Sequence, residues 1–191
     1  MAAARVHIET ERLLLRDWTD DDAVPFAAIN ADPRVMEFFP GLLSRAESDA
    51  LMDWIRGGMA RDRYSQYAVE EKSSKAFIGF IGIAPIHFEA HFTPAIEVGW
   101  RLARSAWGNG YATEGARAAL AQAFGPLGLT DLVSITTEWN RPSRRVMEKI
   151  GMTRDPADDF DHPLIGLGHK LRRHVLYRID RDEWLIRRAA G

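Results

Sequence analysis

A glycine-rich turn near the middle of the chain carries the most specific chemical signal in this sequence. Residues 107–114 read WGNGYATE, with glycines at 108 and 110, between a strand-like run and a helix-like run. Such a turn points free backbone N–H groups at one place, beside the partial positive charge of a helix start. The pattern predicts a seat for a phosphate or pyrophosphate group, against the alternative of a plain strand–helix connection.

Glu97 is the residue best suited to accept a proton. In residues 95–102, apolar side chains alternate with Glu97, Gly99 and Arg101, as in a strand with one face toward a core. A carboxylate within a sheet is costly unless it faces water or a cleft. In a cleft, Glu97 would take a proton from a reacting amine, directly or through one water. The alternative is a structural ion pair with an arginine such as Arg101.

Two other phosphate-binding patterns fit this turn poorly. A Walker loop needs Gly-x-x-x-x-Gly-Lys-Ser/Thr, and the chain has no such run. A dinucleotide-binding loop needs Gly-x-Gly-x-x-Gly in an early βαβ unit, whereas Thr113 takes the third glycine position here and the turn lies past mid-chain. The remaining pattern is Gln/Arg-x-x-Gly-x-Gly/Ala after a strand, with Trp107 where Gln or Arg is usual.

The predicted strands and helices that position these residues indicate a single domain over residues 1–191. Its fold class is α/β, more specifically α+β with a mixed sheet. Meandering strands come first and βα units later, so helices should cover both faces of the sheet. Strands are predicted at 7–16, 67–70, 77–83, 95–102, 132–137 and 175–179. Helices are predicted from Thr19 or Asp20 to about Asn30, from a capping box at Ser44 and Glu47, and at 111–124, 142–150 and 182–188.

Composition excludes several classes of function. The 191 residues are 46% apolar and 27% charged, as in an ordinary globular domain, and the net charge of −2 argues against a nucleic-acid partner. The absence of cysteine excludes disulfides, thiolate metal sites and a cysteine nucleophile. No apolar run is long enough to span a bilayer, and the first residues lack the apolar core of a signal peptide, so we expect a cytoplasmic protein without a membrane partner.

The loop at residues 155–173 is rich in Asp and His but matches no standard ligand spacing, so no metal is expected. The other interpretations are a solvated polar loop and a substrate arm whose acidic groups attract a cationic amine. In the second interpretation His162 would contact substrate, and Phe38 and Phe39 would line the opposite wall.

Three motifs in the chain resemble those of the GNAT superfamily of N-acetyltransferases, and more narrowly of its branch of ribosomal-protein N-terminal alanine and serine acetyltransferases. Residues 97–102 and 107–114 resemble the acetyl-CoA motif, residues 10–16 the first strand, and residues 140–152 the second helix motif. The resemblance implies a splayed mixed sheet and acetyl-CoA as cosubstrate, held mostly by backbone amides because Trp107 carries no charge.

The resemblance also assigns roles to individual residues. Pantetheine would pair with the backbone of the strand that holds Glu97, and a carboxylate on this strand is frequent in the family. Where many members have a tyrosine acid for the thiolate, this chain has Val146 and Met147, which leaves Ser143 or solvent as the acid. Asn140 would contact pantetheine or cap the helix. The predicted cofactor contacts are Gly99, Trp100, Arg101, Leu102, Trp107, Gly108, Asn109, Gly110, Tyr111, Ala112, Thr113, Asn140 and Arg145.

These observations together predict transfer of an acetyl group from acetyl-CoA to a primary amine by direct attack on the thioester. The acceptor is a protein N-terminus or a small-molecule amine, and a homodimer is left open. A non-catalytic module that binds or senses acyl-CoA is the alternative from another class, since it needs the glycine turn but no base. A dinucleotide-dependent enzyme is disfavoured by the position of the turn.

Overall fold

Among the residues that the structure describes, nine strands form a mixed sheet at the centre of the molecule. The strands are β1 (Val6–Glu9), β2 (Leu13–Arg16), β3 (Gln66–Glu71), β4 (Ala76–Pro85), β5 (Ile96–Leu102), β6 (Asp131–Thr137), β7 (Thr153–Arg154), β8 (Phe160–Asp161) and β9 (Arg173–Asp180). The computed structural model describes residues 4–189. Their order across the sheet is β1-β2-β3-β4-β5-β6-β9-β7, and β8 pairs with β9. The mixed α/β fold expected from the sequence is confirmed.

Helices cover both faces of this sheet. They are α1 (Ala23–Asn30), α2 (Arg45–Asp62), α3 (Tyr111–Phe124), α4 (Arg141–Lys149) and α5 (Arg181–Ala189). On one face Phe26 of α1 and Ile55 of α2 pack with Phe80 of β4. On the other face Leu120 of α3 packs with Ile81 of β4. Because adjacent strand residues point to opposite faces, β4 is buried on both sides.

The first predicted strand is wrong in its extent. Residues 7–16 form an antiparallel hairpin of β1 and β2 instead of one continuous strand. Thr10 closes the turn, because its N–H donates to the Leu13 carbonyl over 3.0 Å and its Oγ1 accepts from the Leu13 N–H over 2.9 Å. The polar residues Glu11 and Arg12 stay exposed at the turn, where a continued strand would have had to bury one of them.

Most other elements agree with the sequence prediction. The capping box of α2 is present, with Ser44 and Glu47 each accepting a hydrogen bond from the backbone N–H of the other. Strands β7 and β8 were not predicted, since two residues are too short to show an alternating pattern. Within residues 4–189, no helix has both the length and the apolarity that a membrane span requires.

The sheet opens between β5 and β6. These two strands run parallel and share one ladder pair, Glu97 with Val133, whereas β5 pairs with β4 along its whole length. Beyond Glu97 the two strands separate, so their facing backbone edges have no partner strand within residues 4–189. The slot between them, which we call the β5–β6 slot, follows β5 toward the glycine-rich turn.

Candidate active site

The glycine-rich turn presents backbone donors that make no hydrogen bond to the described part of the chain. Helix α3 begins at Tyr111, directly after the turn, and Gly108 and Gly110 adopt φ angles of 79° and 81°. Glycine is favoured at both positions because this backbone region is strained for residues with a Cβ atom. Among residues 4–189, no backbone or side-chain acceptor receives the N–H groups of residues 108–113. These donors surround the positive end of α3, which suits an anionic group.

An arginine of the first hairpin supports the turn, a contact that sequence analysis missed. Arg12 Nη1 donates to the Asn109 carbonyl over 2.9 Å, and its Nε donates to Glu114 Oε2 over 2.7 Å. Thr10 Oγ1 donates to Glu114 Oε1 over 2.6 Å. The only signal for this contact was that residues 10–16 and 107–114 both resemble family motifs, and that resemblance does not say that they touch.

Glu97 lies at the start of the β5–β6 slot, between Ala84 of β4 and Val133 of β6. Burial raises the pKa of its carboxyl to about 7, and a hydrogen bond from the backbone of Ile135 opposes part of that rise. Glu97 forms no salt bridge within the described residues, so the alternative ion pair with Arg101 is not present. An unpaired carboxyl with a near-neutral pKa is suited to proton transfer.

The side chain of Arg101 points away from the glycine-rich turn. Its Nη1 donates to Asn30 Oδ1 of α1 over 2.6 Å, and its guanidinium lies 4.1 Å from the ring centroid of Phe39 and 5.5 Å from that of Phe80. It therefore lies on the sheet face covered by α1 and α2. Burial lowers the pKa of Arg101 to about 10, so the guanidinium stays protonated at neutral pH.

The start of α4 closes the other side of the slot. Trp100 Nε1 of β5 donates to Ser143 Oγ over 3.3 Å, which places Ser143 opposite the strand that holds Glu97. Asn140 caps α4, because its Oδ1 accepts from the Ser143 N–H over 3.3 Å. Its Nδ2 donates to Thr136 Oγ1 over 2.9 Å. The capping role expected as one of two alternatives for Asn140 is confirmed.

The remaining predicted cofactor residues are distributed around the turn. The Leu102 carbonyl accepts from Trp107 Nε1 over 2.9 Å, so this indole serves to fold the turn against β5. Gly99 lies between Glu97 and Arg101 on the same face of β5. Arg145 is exposed on α4. Ala112 and Thr113 belong to the first turn of α3.

The three predicted substrate residues lie in two places. Phe38 and Phe39 are partly buried after α1, and only Phe39 has a described contact with a β5 side chain, that of Arg101. His162, the residue after β8, belongs instead to an aromatic group with Phe88 of the β4–β5 loop and His174 of β9, whose ring centroids lie 4.5 Å and 4.9 Å from its own. Burial lowers the pKa of His162 to about 4, so its imidazole is neutral at physiological pH.

Arginines neutralise the acidic loop at residues 155–173. Asp158 pairs with Arg178 over 2.8 Å, and Asp159 pairs with Arg154. Asp161 lies 3.3 Å from an Arg172 nitrogen. These pairs leave little free negative charge to attract a cationic amine. The part of the chain that the structure describes contains no group of three or more Asp, Glu, His or Cys residues that could hold a metal ion.

Comparison with known proteins decides the family. The signature of the acetyltransferase (GNAT) domain matches residues 12–153. The chain belongs to the GNAT acetyltransferase family. The uncharacterized N-acetyltransferase YnaD of Bacillus subtilis (strain 168) is 29% identical over 180 residues, which cover 94% of this chain and 99% of that protein.

Solved GNAT structures share the architecture. A GNAT-family acetyltransferase from Bacillus anthracis is 27% identical, with a TM-score of 0.76 over 92% of this chain and 98% of that one. A spermidine N-acetyltransferase from Vibrio cholerae, crystallised with CoA and spermine, is 18% identical, with a TM-score of 0.72 over 92% and 99%, and shares the fold alone. The resemblance to the GNAT superfamily seen in the sequence is confirmed, and this GNAT protein is an acetyltransferase that uses acetyl-CoA.

Proposed function

We propose that this GNAT protein acetylates a primary amine, by direct attack of the amine on the thioester with Glu97 as general base. An alkyl ammonium keeps its proton until about pH 10, so the attacking amine needs a base at neutral pH. The observation that carries the proposal is the half-buried Glu97 carboxyl at the start of the β5–β6 slot, which has no salt-bridge partner among the described residues and a pKa raised to about 7. A carboxyl with this pKa is partly deprotonated near neutral pH, so it can both accept and release a proton there.

Acetyl-CoA would lie in the β5–β6 slot. The free N–H groups of residues 108–113 would hold the pyrophosphate, and pantetheine would run along the backbone of β5 from Gly99. The exposed Arg145 of α4 would add positive charge near the phosphates. A backbone N–H near Trp100 would stabilise the oxyanion that develops as the amine attacks the thioester carbonyl.

Ser143 is our candidate for the acid that protonates the departing thiolate. Its Oγ accepts a hydrogen bond from Trp100 Nε1, which leaves its own O–H proton available for donation. Val146 and Met147, one turn further along α4, have no proton to donate. Protonation by solvent is the alternative, and a Ser143→Ala variant with unchanged turnover would favour it.

The decisive experiment measures free thiol release from acetyl-CoA with a panel of amines and N-terminal peptides. We expect Glu97→Gln to lower turnover about 100-fold and to remove the dependence of rate on a group with a pKa near 7. Affinity for acetyl-CoA should persist, because the glycine-rich turn is untouched. Glu183→Gln in α5, on the opposite face of the sheet, is the matched control.

Unchanged turnover of Glu97→Gln across the pH range would remove Glu97 from the role of base. If acetyl-CoA binds but no amine or peptide accelerates thiol release, the rival function, a non-catalytic acyl-CoA-binding module, replaces catalysis. Binding of NAD with no binding of CoA would instead support a dinucleotide-dependent enzyme.

A further inference from the structure

Arg12, in the turn between β1 and β2, holds the glycine-rich turn at two points on either side of Gly110. Its Nη1 donates to the Asn109 carbonyl over 2.9 Å, and its Nε donates to Glu114 Oε2 over 2.7 Å. The backbone N–H of Arg12 donates to Glu114 Oε1 over 2.9 Å, so main chain and side chain both bind this carboxylate. The hairpin is therefore fixed to the residue before Gly110 and to the first turn of α3.

The guanidinium of Arg12 is bound to protein groups and adds little net charge to the turn. Its Nη2 lies 2.6 Å from Glu114 Oε2, and its Cζ lies 4.7 Å from the ring centroid of Tyr111. Although burial opposes the change, hydrogen bonds from Thr10 and Arg12 lower the pKa of Glu114, so the carboxylate is ionised at neutral pH and balances the arginine. Arg12 can therefore act on an anionic ligand through the shape of the turn.

The hydrogen bond to the Asn109 carbonyl fixes the direction of the next backbone N–H. The Asn109–Gly110 peptide bond is trans, and in a planar trans peptide the C=O and the N–H point in opposite directions. Because Arg12 holds the Asn109 oxygen, the Gly110 N–H is directed away from Arg12. In the sheet, β1 and β2 lie on the opposite side of β5 from β6, so this direction leads toward the β5–β6 slot.

The direction of this N–H matters because the turn has little else with which to bind an anion. Trp107 stands where the phosphate-binding pattern has Gln or Arg, and its Nε1 is bonded to the Leu102 carbonyl. The Gly110 N–H has no acceptor among residues 4–189. A glycine backbone is free to rotate, so an outside contact that holds it in one orientation reduces the entropy lost when a ligand binds.

We propose that Arg12 is a positioning residue for the cosubstrate: by holding the Asn109 carbonyl, it aims the Gly110 N–H at the diphosphate of acetyl-CoA. The proposal rests on the function proposed above, in which that diphosphate lies at the glycine-rich turn. Arg12 takes no part in the attack on the thioester. Its effect is therefore confined to donors that carry the diphosphate.

The test compares two thioester donors, acetyl-CoA and S-acetylpantetheine, which lacks the diphosphate and the nucleoside. For Arg12→Gln we expect kcat/KM to fall about tenfold with acetyl-CoA, mainly through KM, and to stay within about twofold of the wild type with S-acetylpantetheine. Arg12→Lys should restore the value for acetyl-CoA only in part, because lysine lacks the planar fork that reaches both Asn109 and Glu114. Arg45→Gln breaks an exposed pair with Asp49 in α2 and is the matched control.

A second measurement uses the wild type alone and covers the case in which Arg12→Gln fails to fold. The amide proton of Gly110 should shift in NMR spectra when CoA is added and should keep its position when pantetheine is added. An unchanged Gly110 amide with CoA, or an equal effect of Arg12→Gln on the two donors, overturns the role of Arg12 and leaves the acetyltransferase proposal standing. Absence of any amine-dependent thiol release from the wild type instead contradicts the proposed function itself.

Discussion

Glu97 and Arg101 share a face of β5 because an even number of residues separates them on the strand. The alternation in residues 95–102 is visible in the sequence, so the face of the sheet on which the Glu97 side chain lies could be predicted. The neighbours of Arg101 could not, because Asn30 is 71 residues away and reaches β5 only through the packing of α1. At this scale a pattern gives the direction of a side chain but not the groups it meets.

Glu97 should also make the stability of the fold depend on pH. Its pKa is about 7 in the folded state, against 4.5 for an ordinary glutamate, so the folded protein retains a proton that the unfolded chain loses between these values. Stability contributed by this group is complete below about pH 4.5 and is lost as pH rises through 7.

Replacement of Glu97 by glutamine removes the cost of ionising this carboxyl in the folded protein. We expect the difference in unfolding free energy between Glu97→Gln and the wild type to change in favour of the variant as pH rises. Between pH 5 and pH 8 this change should reach up to about 3 kcal/mol. Urea unfolding at the two pH values measures this change, with Glu183→Gln as the control. An equal difference at both pH values would mean that the Glu97 carboxyl is solvated in the folded protein.

At the scale of elements, patterns of neighbouring residues predict where helices begin, whereas contacts between distant segments leave no pattern in the sequence. The capping box of α2 and the start of α3 after two glycines follow from residues within one turn of each other, and both were foreseen. The sequence predicts one strand where the structure has the hairpin of β1 and β2, because the turn consists of three polar residues with no glycine or proline. The support of the turn by Arg12 spans 102 residues of sequence, beyond any local pattern.

The conformation of Gly110 should determine how tightly acetyl-CoA binds. Gly110 is the N-cap of α3 at φ 81°, and a Cβ atom there would meet only Arg12 Nη2 at 3.5 Å, so the cost of Gly110→Ala is conformational and not steric. A strain of about 1–2 kcal/mol would be relieved by a rotation that redirects the N–H groups of the turn.

We therefore expect Gly110→Ala to weaken acetyl-CoA binding about tenfold, measured by isothermal titration calorimetry. Gly41→Ala is the matched control, because no heavy atom lies within 4 Å of the added Cβ and its φ is not in the left-handed region. Equal affinities of Gly110→Ala and the wild type would place the pyrophosphate elsewhere.

The sheet of this molecule consists of two groups of strands, which are joined by one ladder pair. Strands β1 to β5 form one antiparallel block, and β6 pairs antiparallel with β9 in the other. Only the pair of Glu97 and Val133 joins β5 to β6 within the described residues. A cosubstrate in the β5–β6 slot would contact both blocks, so its binding should stabilise the molecule as a unit.

We expect acetyl-CoA at 100 times its Kd to stabilise the protein by about 2.7 kcal/mol and to raise Tm by roughly 5–10 °C. Backbone amides of both β5 and β6 should exchange more slowly with solvent in the complex. Gly110→Ala should show a smaller rise in Tm at the same concentration. A saturating concentration that leaves Tm unchanged would contradict binding in the slot.

The tether from Arg12 and Thr10 to the start of α3 has a practical consequence for anyone who shortens this chain. A fragment that begins at β3 would retain the entire WGNGYATE signature. It would nevertheless lose the side chains that hold Glu114 and the Asn109 carbonyl in place. The proposed diphosphate site is thus built from two separate stretches of polypeptide. A truncated protein that keeps only the second stretch would lack the contacts that hold this site in shape.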